Sequence, residues 1–240
     1  MMIQKWRLLS GSWLKVLAMV AMTVDHCAVG ILRYERSFTE PLLTICGHDI
    51  SWVLLLHGIG RLAFPLFAFL LVEGFLHTHS LRRYGRNIFL FALLSEMPYD
   101  LIRWGHFPAL GMNVFVTLLL GFLALLAISR WEQERLDSIK LTVCLFTLLA
   151  VAALLRCDYG AVGVSFIILL YVLRKRCVLL AAIGCTMLPM APIAALSFIP
   201  IVLYNGRRGF IRGTVGKYLF YAFYPLHLLA LYLIRLTLMV

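Results

Sequence analysis

Charge is scarce in this sequence, and acid is scarcer than base. Only 14% of the 240 residues are charged, with 11 Asp and Glu against 22 Lys and Arg, whereas a soluble domain carries about 25% charged residues. The six cysteines form no CxxC pair, and no two histidines have the HxxxH or HExxH spacing of a zinc site. A glycine-rich phosphate loop and a GxSxG elbow are also missing. No metal ligand set is therefore expected, and no serine-hydrolase pattern. Internal repeats and low-complexity tracts are absent, and no basic run forms a separate soluble segment. The net charge of +11 is accordingly read as topology and not as nucleic-acid binding. A cleavable signal peptide is not expected either, because the first apolar run is too long for one and contains an Asp–His pair.

What fills the sequence is apolar. Hydrophobic residues make up 62% of it, and the mean hydropathy is +0.93. No water-soluble fold could bury that much apolar surface, so lipid must be the main solvent. In lipid every backbone N–H and C=O must pair internally, which leaves helices or closed barrels. The apolar runs are long and do not alternate, so the expectation is an all-α integral membrane protein, one domain over residues 1–240. Spans are expected at Trp13–Leu32, Trp52–Leu76, Arg86–Trp104, Leu110–Ser129, Lys140–Leu155, Tyr159–Leu173 and from Lys217 to about Met239. The stretch Cys177–Tyr204, broken by Pro189, Pro192 and Pro200, is expected to cross twice as a tight hairpin, one half of it short enough to be re-entrant. With the N-terminus inside, that arrangement puts sixteen Lys and Arg on the cytoplasmic side and five outside (Arg33, Arg36, Arg103, Arg156, Arg235), with Arg61 buried. The expected topology is thus about nine helices, N-terminus in and C-terminus out.

Ionisable groups within such spans are costly and usually face an interior cavity. Asp25 and His26 lie in the outer half of the first span. Neighbours on a helix point about 100° apart, so the two face different surroundings. Arg61 sits well inside the second span and needs a partner, either a carboxylate such as Asp25 or Glu96 or an anionic ligand. His57 is four residues earlier on the same face. Pro65 would free a backbone carbonyl and kink that helix. Glu73 and His77 share a face near its cytoplasmic end, and Glu96 and Asp100 share another within Ser95-Glu96-Met97-Pro98-Tyr99-Asp100. Asp158 and Tyr159 open the sixth span, whose Gly160 and Gly163 allow close helix approach. His227 falls near the middle of the last span; alone it reads as a packed histidine as readily as a reactive one. A proton-coupled transporter would also need such groups near the midplane, although it would more often show an internal repeat.

Taken together, several of these segments resemble the TraX family of inner-membrane proteins. The carrying motifs are the Asp25–His26 pair, Gly60-Arg61-x-Ala63-Phe64-Pro65-Leu66-Phe67-Ala68, Glu73-Gly74-Phe75 with His77-Thr78, Ser95 to Asp100, Tyr159-Gly160-x-x-Gly163 and the closing Phe-Tyr-x-x-His-Leu that holds His227. They cover nearly the whole chain in family order. The resemblance implies a multi-pass acetyltransferase of the bacterial cytoplasmic membrane that uses acetyl-CoA as acyl donor. The family's founding role is acetylation of a conjugative pilin's N-terminus; here the acceptor stays open between a pilin terminus, a glycan or another small molecule. On that reading His26 is the base, Asp25 or another carboxylate orients it, and Arg61 holds the thioester carbonyl or neutralises Asp25. The phosphates of CoA would meet Arg82, Arg83, Arg86 and His77. The acceptor would meet His57, Glu96, Asp158, Tyr159 and His227 from the outer side. The partners implied are membrane lipids and that acceptor.

Overall fold

The strongest apolar runs become helices, and the interruptions are local and chemical. The computed structural model describes residues 7–45, 47–176, 182–184, 186–187 and 191–238. In chain order the elements are α1 (Gly11–Gly30), a 3-10 turn (Leu32–Tyr34), α2 (Arg36–Thr39) and a hairpin of β1 (Leu43–Ile45) and β2 (His48–Ile50). Then come α3 (Trp52–Gly60), α4 (Ala63–His77), α5 (Leu81–Trp104), α6 (Val114–Glu132), α7 (Ser138–Leu154) and α8 (Gly160–Val172). The short helices α9 (Ala191–Ala194) and α10 (Phe198–Val202) precede α11 (Gly213–Leu238). The architecture is that of an all-α membrane protein. The small antiparallel hairpin, which pairs Leu43 with Ile50, is its one sheet among the described residues.

Among the described residues, four stretches are long and apolar enough to cross a membrane: Gly11–Tyr34, Trp52–His77, Val114–Glu132 and Gly213–Leu238. The expected third span is helical as α5, but its charged and polar residues keep it outside that group. The expected fifth and sixth spans form the shorter apolar helices α7 and α8. Of the expected hairpin at 177–204, residues 177–181, 185 and 188–190 lie outside the described residues, and the later part forms the short helices α9 and α10. The expected second span is also not one helix. It breaks at Arg61–Leu62, four residues before Pro65, because Pro65 has no N–H for the Arg61 carbonyl and its ring crowds that carbonyl. The break is closed by shorter bonds, from Arg61 N–H to the Gly58 carbonyl and from Leu62 N–H to that of Ile59. Pro98 and Pro225, by contrast, lie inside unbroken helices.

The chain forms two compact units. The first comprises Met1–Phe67, Met97–Phe107 and Pro189–Val240. Its core packs α1 against α3 and α11, with Leu14, Ala18, Ala21, Met22, Tyr224 and Leu228 buried. Glycine permits the closest approach: a Cβ on Gly60 would land on the Asp25 side chain. The helices α1 and α11 run parallel. Gly11 bonds to the Arg207 carbonyl just ahead of α11, Lys15 lies over Phe220, His26 meets His227, and Gly30 meets Arg235.

The second unit comprises Ala68–Glu96 and Pro108–Leu188. There α6, α7 and α8 pack together around Leu120, Ala124, Ala152 and Val164. Gly121 lies against Ile167, and Gly85 lies against Phe122. The expected start of α6 at Leu110 moves to Val114 because Gly111 has a left-handed φ of 112° and Asn113 caps the helix through the Phe115 N–H.

Arg235 was expected among the exterior charges, yet it is only 5% exposed. Its guanidinium donates to the Leu101 and Ile102 carbonyls at 2.7 and 2.8 Å, and more distantly to the Gly30 carbonyl and the Tyr34 hydroxyl. These carbonyls belong to the last turns of α5 and α1, whose C-terminal C=O groups have no intrahelical donors. A cation there also matches the negative ends of both helix dipoles. Replacing it, as in Arg235→Leu, should cost about 1–3 kcal/mol for each carbonyl left unpaired. The check is thermal unfolding in detergent: Arg235→Leu should melt well below the wild type and Arg235→Lys in between. Equal melting of Arg235→Leu and wild type would remove the clamp.

Candidate functional site

Two hydrogen-bonded chains meet on consecutive residues of α1. The first begins at Asp25, whose Oδ1 lies 2.5 Å from His57 Nδ1 across the contact with α3. His57 Nε2 in turn meets the Arg61 guanidinium. An arginine can only donate, so His57 Nε2 is the acceptor and Nδ1–H donates to Asp25. The sequence Asp25⁻, neutral His57, Arg61⁺ satisfies each hydrogen bond and carries no net charge. The helix break presents Arg61 here. Without a side chain on Gly60, Asp25 can reach α3 at all.

The second chain runs from His26 to α11. His26 Nδ1 lies 2.7 Å from His227 Nε2, and the rings stack with centroids 5.0 Å apart. His227 Nδ1 lies 2.8 Å from the Phe223 carbonyl oxygen one turn earlier. A carbonyl accepts only, so His227 Nδ1 carries the proton and Nε2 is its lone-pair nitrogen. His26 Nδ1 must therefore donate. The proton-accepting nitrogen of a neutral His26 is then Nε2, turned away from His227. Tyr224 and Phe223 pack edge-on and face-on about this pair, with centroids 6.0 Å from His26 and 4.8 Å from His227 respectively.

The structure thus brings Asp25, His26, His57, Arg61 and His227 into one unit, on α1, α3, the α3–α4 turn and α11. It corrects one pairing. Asp25 orients His57, while His26 is oriented by His227, as the 100° divergence of neighbours on α1 requires. The remaining expected residues fall in the second unit. Glu96 binds both the backbone N–H and the side-chain amide of Asn113. Asn113 also donates to the Ala92 carbonyl at 2.8 Å, so Glu96 helps fasten the start of α6. The Asp158 N–H donates to the Met112 carbonyl at 2.9 Å, and the Asp158 carbonyl accepts from the Thr117 hydroxyl. Tyr159 takes a left-handed φ of 65° to begin α8. Arg82, Arg83 and Arg86 are exposed along the first turns of α5. His77, also exposed, bonds to the Glu73 carbonyl and lies 3.8 Å from its carboxylate.

Sequence reasoning gave Phe223, Tyr224 and Arg235 no role of their own in packing the site, and did not single out Asn113. Only the Phe223–His227 spacing of four residues was a legible signal, because it lets a side chain reach back one turn.

A family model described as TraX protein matches residues 10–235. The chain is also 32% identical over 249 residues to a protein of Dichelobacter nodosus described as "Probable fimbrial assembly protein FimC, serogroup H1". That match covers 91% of this chain and 93% of the relative. No solved structure is detectably similar.

The tautomer assignment is open to nitrogen NMR on histidine-labelled protein in nanodiscs. His26 and His227 should both show Nδ1–H with unprotonated Nε2. In His227→Ala, His26 should shift to a mixture of tautomers. A wild-type His26 protonated on Nε2 would refute the chain as drawn.

Proposed function

From the premise that the chain belongs to the TraX family, we propose that it is a membrane-embedded acetyltransferase. It moves an acetyl group from cytoplasmic acetyl-CoA to an amine or hydroxyl at the outer face of the bacterial cytoplasmic membrane. The printed name of the relative, a probable fimbrial assembly protein, supports a pilin-processing role, and on that role the acceptor is a pilin amine. The observation that carries the reading is His26, a histidine whose outer nitrogen is left as a proton acceptor by a hydrogen-bond chain ending on a backbone carbonyl.

The chemistry needs a base, a cation and a defined tautomer. His26 Nε2 takes the proton of the acceptor N–H or O–H as that atom attacks the thioester carbonyl carbon. The C–N or C–O bond forms, and the carbonyl π electrons move to oxygen. Arg61 stabilises that oxyanion, held in place by His57 and balanced by Asp25. When the oxyanion reforms the carbonyl, the C–S bond breaks, and His26 returns its proton to the departing thiolate. The imidazolium formed in between is accommodated because His227 Nε2 goes on accepting from His26 Nδ1–H. His227 is a positioning residue, and Asp25 and His57 fix Arg61.

For the topology, the positive-inside rule orients the start of both α1 and α11 toward the cytoplasm. Running parallel, the two helices then end on the outer side. Both histidines lie about 21–23 Å along them at 1.5 Å per residue, in the outer half.

The test is transfer of a labelled acetyl group to an amine-terminated pilin peptide by the purified protein in nanodiscs. His26→Ala should lower the rate by roughly two to four orders of magnitude without changing the melting temperature. Arg61→Lys should lose rate through poorer geometry even though the charge is kept. Full transfer by a well-folded His26→Ala protein would eliminate His26 as the base.

A further inference from the structure

The first unit contains a groove of about 660 Å³ along α11, running from Phe210 and Arg212 past Leu219, Phe220 and Phe223 to His227. Apart from Arg212 and His227 its walls are apolar. Two of its residues, Leu219 and Leu226, are 64% and 60% exposed, so the groove opens toward lipid. Aromatic side chains mark its depth. Trp13 and Tyr218 are exposed near the starts of α1 and α11, and Trp13 meets Phe210 edge-on with centroids 5.6 Å apart. Such residues settle at the level of the lipid headgroups, so the Arg212 end of the groove lies at that level too.

The basic end is held in place by its backbone. Leu9 N–H donates to the Leu203 carbonyl, Asn205 N–H to that of Leu9, and Gly11 and Ser12 N–H to those of Arg207 and Arg208. The Ser12 hydroxyl donates to the Arg208 carbonyl at 2.9 Å and accepts from Ile211 N–H at 2.7 Å. Arg212 Nε donates to the Gly209 carbonyl at 2.6 Å, which leaves its two terminal amino groups for another acceptor. Arg207 and Arg208 are exposed in the same loop. Among the described residues none of these three arginines forms an ion pair. Residues 1–24 and 159–240 contain no Asp or Glu at all, so the segments that build this end supply no counter-ion.

We infer that this groove is a binding site for an anionic phospholipid, with its phosphate on Arg212, Arg207 and Arg208 beside it, and an acyl chain lying along α11. An arginine fork takes a phosphate in bidentate fashion. The chain also fits by length. Half of a hydrocarbon core about 30 Å thick is about 15 Å, or ten helical steps of 1.5 Å. Counted from Gly213, ten steps end at Phe223, so a chain from this leaflet covers the apolar wall and stops one turn short of His227. The positive-inside rule makes the leaflet cytoplasmic, and basic clusters at that surface attract anionic headgroups. Both halves of the ligand are needed. A soluble phosphate compound would satisfy the arginines but leave the apolar wall bare. A neutral lipid would cover the wall but bring no counter-ion, and α11 of a second copy, which has no acid, would do the same. The site stands whether or not the protein transfers an acetyl group.

The experiment is titration of delipidated protein in neutral detergent with phosphatidylglycerol, with phosphatidylcholine of the same chains, and with glycerol phosphate. Bound lipid is read by native mass spectrometry and by the rise in melting temperature. The wild type should bind phosphatidylglycerol more tightly than phosphatidylcholine by roughly 10–100-fold at low salt, with the gap closing at high salt, and should not respond to glycerol phosphate. Arg207→Ala/Arg208→Ala/Arg212→Ala, which keeps every backbone bond of the loop, should bind the two lipids equally. Leu219→Trp, at an exposed groove position, should weaken both lipids, and Arg82→Ala/Arg83→Ala neither. Equal wild-type affinity for the two lipids would overturn the site, as would a loss confined to Arg82→Ala/Arg83→Ala. Glycerol phosphate binding as tightly as phosphatidylglycerol would assign the arginines to a soluble phosphate instead. A lipid-free wild type that dimerises, and that Leu219→Trp splits, would give the groove to a second copy.

Discussion

The contact between Asp25 and His57 across Gly60 is the constraint on which the first unit depends. A carboxylate and a guanidinium within an apolar span are each costly to desolvate, and neither is tolerable alone. The neutral imidazole between them solves the problem by accepting from one and donating to the other. The solution is geometric before it is electrostatic. It needs α1 and α3 close enough for a short carboxylate to cross, hence a glycine at 60, and it needs Arg61 turned back toward His57, hence a helix that stops there. Pro65 supplies the stop without occupying the site.

The same helix makes His26 possible. Since α1 commits Asp25 to α3, its next residue faces elsewhere and meets α11. The partner there is anchored on a backbone carbonyl, which cannot change its role as acceptor. One fixed end determines every proton along Phe223, His227 and His26. A carboxylate in that place would orient the imidazole equally well, but it would add a second negative charge beside Asp25. A histidine with a neutral anchor gives the same tautomer control without one.

Much of this was legible in the residues, and the limits have physical causes. The apolar runs at α1, α6 and α11 declared themselves because twenty apolar residues have few other uses. The choice of Asp25, His26 and Arg61 as candidates followed from the cost of placing ionisable groups in lipid. Their pairings did not, because His57 and His227 stand 32 and 201 residues away from their partners, and no local pattern spans such a separation. The 100° rule set Asp25 and His26 on different faces of α1 without naming the partner of either. Arg235 was misread because it sits near the end of the last apolar run, where snorkelling to water is the ordinary expectation. Only the ends of α1 and α5 arriving beside it make a buried arginine worthwhile.

On the proposed reading, topology and chemistry share one arrangement. In the parallel pair α1 and α11 the cations gather at the starting end and the imidazoles lie two-thirds or more of the way along α1 and just past the middle of α11. A basic end alone would serve the positive-inside rule through loose loop residues. Here the loop is fixed to the start of α1 by a ladder of backbone bonds and two serine hydroxyl contacts, more order than topology requires. Orientation signals work by charge count and need no such bonds. What the 203–212 ladder does is set the starting ends of α1 and α11 side by side, and with them the register in which His26 meets His227 farther along the pair.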